Sequence, residues 1–247
     1  MMKIKKVLSN LKNRITQEDF LTTNVAIVTN PFFIARKGLY EKISFFSPRI
    51  MGNILDFGCG SKPYESLFTK AESYIGTDVK ISGHNHSKSR IDIFFDGKNL
   101  PFKDNCFDSV VCFQVLEHVF DVNNVILELY RVLKPNGTLL LSIPCAWDEH
   151  EIPYDFFRYT SYGITKLLTT HHFEVIHLEK TTTYVQTVFQ LIITCIHKLF
   201  NLKNRTLKVF LQIFLIFPLN LASLFFNFLL PKRYDFFCDS VVVAKKI

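Results

Sequence analysis

Six short apolar runs, separated by helical or turn-rich stretches, constrain this chain more than any other feature. They are Asn53–Phe57 (NILDF), Ser73–Asp78 (SYIGTD), Arg90–Phe95 (RIDIFF), Phe107–Phe113 (FDSVVCF), Thr138–Ile143 (TLLLSI) and Phe173–Lys180. Each has the length of a strand. Helical patterns fill Gln114–Leu133 and Ser161–Thr170, the second with Thr160 or Ser161 as its N-cap. Lys134-Pro135-Asn136-Gly137 stops the first and turns the chain. Strands that alternate with helices predict an α/β fold around a parallel sheet. Residues 1–49 are predicted as a helical cap. Met1–Ile15 within them reads as a basic amphipathic helix, not a signal peptide, because it has no continuous apolar stretch.

The rhythm breaks between residues 181 and 233. Val209–Leu230 is 22 residues without a charge, which reaches the length of a membrane span. Tyr184–Phe200 is a second, amphipathic helix. Lys198, Lys203, Arg205, Lys208, Lys232 and Arg233 flank the pair. Phe236–Lys245 then reads as a seventh strand. If that strand joins the sheet, the chain must leave any membrane on the side where it entered. A single crossing is then excluded, and a hairpin lying in one interface fits. A cap over the sheet edge, a substrate lid or a dimer surface are the alternatives.

The formal charge of +7 is uneven: +6 over residues 1–49, −5 over 50–180 and +6 over 181–247. An acidic middle opposes nucleic-acid binding, and basic flanks suit an anionic lipid surface. The six cysteines contain no C-x-x-C pair, so reduced thiols in a cytoplasmic compartment are expected.

Asp56-Phe57-Gly58-Cys59-Gly60 follows the first strand and is expected to open a helix, whose N-terminal amides would face a ligand. Pro63 stands where a dinucleotide fingerprint needs its third glycine. Asp78, at the end of the second strand, suits a pair of ribose hydroxyls. Asp96-Gly97 leads into Leu100-Pro101-Phe102, then Val115-Leu116-Glu117-His118-Val119, then Arg131-Val132-Leu133-Lys134-Pro135-Asn136-Gly137. Together, in this order, these motifs closely resemble class I S-adenosylmethionine-dependent methyltransferases of the type 11 subgroup.

The resemblance implies a Rossmann-like seven-stranded sheet with its last strand antiparallel, plus an apolar helical insertion before that strand. It implies a core over residues 50–180, the insertion over 181–233 and a final strand over 234–247. It also implies S-adenosylmethionine as cofactor: Asp56, Gly58, Cys59 and Gly60 around its methionine moiety, Asp78 on the ribose, Asp96 and Gly97 at the adenine, and Gln114 near the sulfonium.

The loop after the fifth strand, from Cys145 to Thr160, is dense in titratable groups. It resembles a stretch of methyltransferases from bacterial surface-polysaccharide gene clusters. His150 is the candidate general base, because neutral imidazole titrates near working pH. Asp155, Tyr154 and Arg158 would orient it or hold substrate, and His118 lies near the site or packs on the sheet. Some quinone and small-RNA O-methyltransferases bind a divalent metal through E-x-x-E-H at this place. Here Gln114 replaces the first carboxylate, so no metal is expected. Three functions remain open. One is O-methylation of a sugar or lipid-linked glycan intermediate at the inner face of the cell membrane. Another is methylation of a lipophilic quinone- or polyketide-like acceptor. The last is a cofactor-binding membrane adaptor without turnover.

Overall fold

The computed structural model describes residues 26–83, 86–200 and 204–247. The expected helix at Met1–Ile15 lies outside them. The chain divides into two compact units, one of residues 41–181 with 238–247, the other of residues up to Tyr40 with 182–237.

The first unit carries a seven-stranded sheet. Its strands are β1 (Gly52–Phe57), β2 (Ala71–Val79), β3 (Ile93–Phe95), β4 (Phe107–Phe113), β5 (Leu133–Pro144), β6 (Phe173–Lys180) and β7 (Asp239–Lys246). They lie in the order β3-β2-β1-β4-β5-β7-β6. β7 runs antiparallel to both neighbours, and the other pairs are parallel. All seven predicted strands form. In β1, β4 and β5 successive side chains are buried, as in Ile54-Leu55, Val110-Val111-Cys112 and Leu139-Leu140-Leu141. Burial on both faces explains why these strands read as continuous apolar runs.

Two predicted helices are shorter than expected or absent. No α-helix follows the glycine turn; a single 3₁₀ turn, Glu65–Leu67, stands there. Lys62 takes a positive φ of 55°, and a residue before proline disfavours the α conformation, so Pro63 blocks the helix at its first turn. The helix expected over Gln114–Leu133 forms only over Val122–Val132. Gln114 has φ 55° and its amide bonds to Ser142 in β5, so residues 114–121 turn, with a 3₁₀ turn at Leu116–His118. Asp121 then caps the helix through the Asn124 amide. Its Val125, Ile126, Leu129 and Val132 share the buried core with Leu139, Leu141 and Val242. The helix Ser161–Thr170 begins as predicted, with Thr160 accepting from the Gly163 amide.

The second unit is helical: α1 (Ala26–Thr29), the start of α2 (Phe33–Phe46), α5 (Tyr184–Leu199), α6 (Arg205–Leu211) and α7 (Phe217–Leu229), with Val122–Val132 and Ser161–Thr170 of the sheet unit numbered α3 and α4. Residues 26–40 thus group with 182–237; a separate cap over residues 1–49 was expected. A π turn, Gln212–Ile216, joins α6 to α7 and accommodates Pro218, which cannot donate to the preceding turn. α1 is too short to satisfy its own carbonyls. Buried side-chain amides do so instead: Gln212 donates to Thr29 at 2.7 Å and Asn220 to Ile27 at 2.8 Å, while Gln190 donates at 2.8 Å to Pro31, just past the helix. These polar residues interrupt the apolar stretch because they face inward. Outward stand Phe210, Phe214, Phe225 and Phe228, the last 87% exposed. Among the described residues, Thr206–Leu229 is the one helix long and apolar enough to cross a membrane, and only 22% of its most apolar stretch is buried.

Candidate active site

Both groups of candidate residues lie past the C-terminal ends of the parallel strands, the usual ligand edge of such sheets. At the end of β1, Gly58 and Gly60 have φ of 69° and 46°. A Cβ on Gly58 would stand 2.4 Å from the Val115 side chain, so only glycine fits. The amides of Gly58 and Cys59 bond to Thr77 in β2. Asp78 Oδ2 accepts from the Gly60 amide at 3.1 Å, and Oδ1 from the Val79 amide at 2.8 Å. Asp78 therefore ties the turn to β2, and its remaining lone pairs can accept from two hydroxyls.

Asp56 is buried, and Tyr74 donates to its Oδ2 at 2.7 Å. Burial raises its pKa to about 7. The same desolvation pushes the Cys59 thiol up to about 12, so that cysteine is an inert wall of the turn. Lys62, itself buried, pairs with Asp92, whose Oδ2 also accepts from the Gly76 amide at 2.7 Å. Asp96 is exposed at the end of β3, beside Gly97 with φ 82°. Its Oδ1 accepts from the Lys98 and Asn99 amides, and those bonds hold its carboxyl below the usual range. Gln114 directly follows β4, and its side-chain amide lies 3.2 Å from Ser142 Oγ.

The second group is carried by the 3₁₀ turn after β4 and the loop after β5. Arg158 and Asp155 form a bidentate pair, with both N–O distances 2.7 Å. Arg158 also donates to the carbonyls of Trp147, Asp148 and Phe157. The guanidinium holds the Asp155 carboxyl well below the ordinary carboxylate range. Asp155 in turn accepts from the His150 backbone amide at 2.9 Å, and its Oδ2 lies 3.4 Å from His150 Nδ1. Asp155 and Arg158 thus shape the loop and orient His150. His118 and His150 stack edge to face with centroids 4.7 Å apart. His118 Nδ1 donates to the Tyr154 carbonyl at 2.7 Å, so Tyr154 contributes a main-chain oxygen. Desolvation lowers the His118 pKa.

Glu117, absent from the expected site, is fully buried beside His118, and neither of its oxygens accepts a hydrogen bond. Burial raises its pKa to about 8. Its backbone carbonyl accepts from the Phe156 and Phe157 amides, which fastens the β5 loop onto the β4 turn. Lys62, Tyr74 and Asp92 were also not foreseen. They carry no motif, and only the fold brings Tyr74 and Lys62 to Asp56 and Asp92 to Lys62.

Residues 55–141 match the family of methyltransferase domains. The chain is 30% identical over 158 residues to a Mycolicibacterium smegmatis protein described as a "Probable S-adenosylmethionine-dependent methyltransferase", covering 59% of this chain and 60% of that one. It is 28% identical over 134 residues to the ubiquinone/menaquinone biosynthesis C-methyltransferase UbiE of Rickettsia prowazekii, covering 47% and 54%. The matches therefore span about half to three fifths of these curated relatives. Among solved structures, the [4+2]-cyclase SpnF superposes with a TM-score of 0.56 at 16% identity, over 99% of this chain and 94% of that one. The phosphoethanolamine N-methyltransferase 2 of Haemonchus contortus, in complex with S-adenosyl-L-methionine, gives 0.51 at 17%, over 96% and 60%. At these identities the superpositions establish the fold.

Proposed function

We propose that this chain, whose residues 55–141 match a methyltransferase domain, uses S-adenosylmethionine to methylate a hydroxyl of a sugar or lipid-linked glycan intermediate at the inner face of the cell membrane. The observation that carries the reading is the pair of neighbouring sites on one sheet edge. A glycine turn locked to Asp78 stands beside an oriented histidine pair.

The residues present fit the cofactor. Asp78 keeps acceptors for a ribose diol, and Asp56 is a buried acid that a cationic amine would draw into its ionised form. Bound there, S-adenosylmethionine supplies an electrophilic methyl group and a thioether leaving group. The remaining work belongs to the chain. It must hold the acceptor oxygen in line and remove its proton. Asp148 and Asp155 engage His150 at Nδ1, which leaves the Nε2 lone pair as the proton acceptor. The acceptor oxygen keeps the bonding pair of its O–H for the new O–CH₃ bond, and the proton passes to the imidazole. Arg158, through Asp155, fixes the ring.

Support for a membrane-bound acceptor comes from the second unit. Its exposed phenylalanines form an apolar face on a helix flanked by Lys198, Lys208 and Lys232. The chain leaves the sheet after β6 and returns to it in β7, which favours lying in one interface over a single crossing.

The test is to incubate the protein with methyl-labelled S-adenosylmethionine and either membranes or soluble extract of the native cells. The reading expects label in a membrane-derived product, and a His150→Gln variant that binds cofactor with wild-type affinity but transfers no label. Label acquired only from soluble extract would overturn the membrane assignment. A second reading, a quinone-like acceptor, is favoured by the similarity to the Rickettsia C-methyltransferase. It expects a lipid-soluble product that mild acid leaves intact.

A further inference from the structure

The buried Glu117 carboxylate is the least explained group in the chain. It is 0% exposed, and both of its oxygens lack a hydrogen-bond partner. A carboxyl group buried without a hydrogen-bond partner is costly whether it is protonated or ionised, unless something compensates it. The charges of Asp239, Arg158 and Asp155 act on it, and beside it stand two imidazoles whose tautomers can be read from their partners.

His118 Nδ1 faces the Tyr154 carbonyl at 2.7 Å, and His150 Nδ1 faces the Asp148 carbonyl at 3.2 Å. A carbonyl only accepts, so each Nδ1 carries the hydrogen and each Nε2 carries a lone pair. His118 Nε2 lies 3.8 Å from Glu117 Oε1 and 4.0 Å from Glu151 Oε2. One ligand atom from each of Glu117, His118 and His150 falls within 4.8 Å of the others. Histidines whose outer nitrogen donates to a carbonyl, with the inner lone pair turned toward a carboxylate, are the arrangement that orients metal ligands.

We propose that Glu117, His118 and His150 bind one divalent transition-metal cation of the zinc type, with Glu151 at its rim. Two imidazoles and one carboxylate suit such an ion better than magnesium or calcium, and three protein ligands leave a position open. Bonds of about 2.0–2.2 Å require the three side chains to close by roughly an ångström on loading. This reverses the expectation drawn from Gln114. The third ligand comes from the β5 loop, whereas the E-x-x-E-H pattern seeks it on the turn. Gln114 instead holds Ser142. At the open position the cation would polarise the acceptor hydroxyl, and the proton would pass to the Glu151 carboxylate at the rim in place of His150. That role rests on the methyl-transfer reading; the binding does not.

The experiment uses the full chain stripped with chelator. Co²⁺ is titrated and its visible absorption recorded; Zn²⁺ is added in calorimetry and in thermal unfolding. The proposal expects one equivalent, an absorption band of a four- or five-coordinate cobalt site with nitrogen ligands, and a Zn²⁺-dependent rise in melting temperature. Glu117→Gln, His118→Gln and His150→Gln should each weaken affinity at least about tenfold, while His172→Gln, on an exposed histidine, should bind as wild type. Glu117→Gln keeps the side-chain shape and removes a buried acid, so it should fold, and Zn²⁺ should no longer stabilise it. No stoichiometric binding, or equal binding by Glu117→Gln, overturns the site. Label transfer undiminished in metal-free protein overturns the catalytic role of the metal and leaves the methyltransferase reading standing. A cobalt site in a chain that transfers no label to any acceptor does the reverse.

Discussion

Replacing Asp56 with asparagine should make the cofactor-free protein more stable and its cofactor binding weaker. Asp56 is buried at the end of β1, and desolvation moves its pKa from 3.8 to about 7. The folded state therefore holds a proton there that the unfolded chain releases near pH 4. Stability from this group is fully present below pH 3.8 and is lost as pH rises toward 7, where the carboxylate ionises in the fold. The loss is about 4 kcal/mol at about 1.4 kcal/mol per pH unit. Asparagine retains an oxygen for the Tyr74 hydroxyl and never ionises. The variant should thus exceed wild type by little at pH 4 and by up to about 4 kcal/mol at pH 8. Cofactor affinity should fall roughly ten- to hundredfold, the worth of a charge-assisted hydrogen bond. Urea unfolding at the two pH values and calorimetry with S-adenosylmethionine measure both. A variant less stable than wild type at pH 8 would refute the reasoning, since Asp56 would then be an ionised partner of Lys62.

Other perturbations follow from the same geometry. Gly58→Ala forces a Cβ to 2.4 Å from Val115 at a φ of 69°; it should abolish cofactor binding in calorimetry and lower stability by about 1–3 kcal/mol. Arg158→Ala leaves Asp155 buried without its cation; denaturant unfolding should show a loss of about 3 kcal/mol, and label transfer should fall while cofactor affinity stays. Arg158→Lys should recover part of the stability but little of the transfer, because one ammonium cannot replace the bidentate pair. Replacing Phe210, Phe214, Phe225 and Phe228 with serine should leave the circular dichroism spectrum unchanged, since all four are exposed, and should reduce flotation with anionic vesicles at least about tenfold.

The sheet was legible because its central strands are buried on both faces, which writes them as largely apolar runs around residues 54–57, 107–113 and 138–143. The glycine turn was legible because positive φ at residues 58 and 60 leaves glycines in the text. Less legible were the local stops. Lys62-Pro63 cancels a helix that the turn otherwise announces, and Gln114 bends out of the helical pattern because its amide belongs to the sheet ladder with Ser142. Glu117 was set aside with the metal reading because Gln114 replaces the first carboxylate of E-x-x-E-H, and adjacency to His118 says nothing about burial; the amides of Phe156 and Phe157 on its carbonyl are what hold the β5 loop over it. Polar residues inside the apolar stretch, Gln212 and Asn220, looked like interruptions. They are the caps of a short helix almost two hundred residues away in sequence.

The central claim is methyl transfer from S-adenosylmethionine to a lipid-linked sugar hydroxyl. Its most direct test is to react the protein with methyl-labelled S-adenosylmethionine and a native membrane fraction, then partition the product between organic and aqueous phases before and after mild acid. The account predicts label that is organic-soluble at first and moves to water once acid cleaves the lipid linkage. Label that stays organic after acid would contradict the glycan acceptor in favour of a quinone-like one. No label in either phase, with cofactor binding demonstrated and the membranes serving as acceptor source, would contradict the transfer itself.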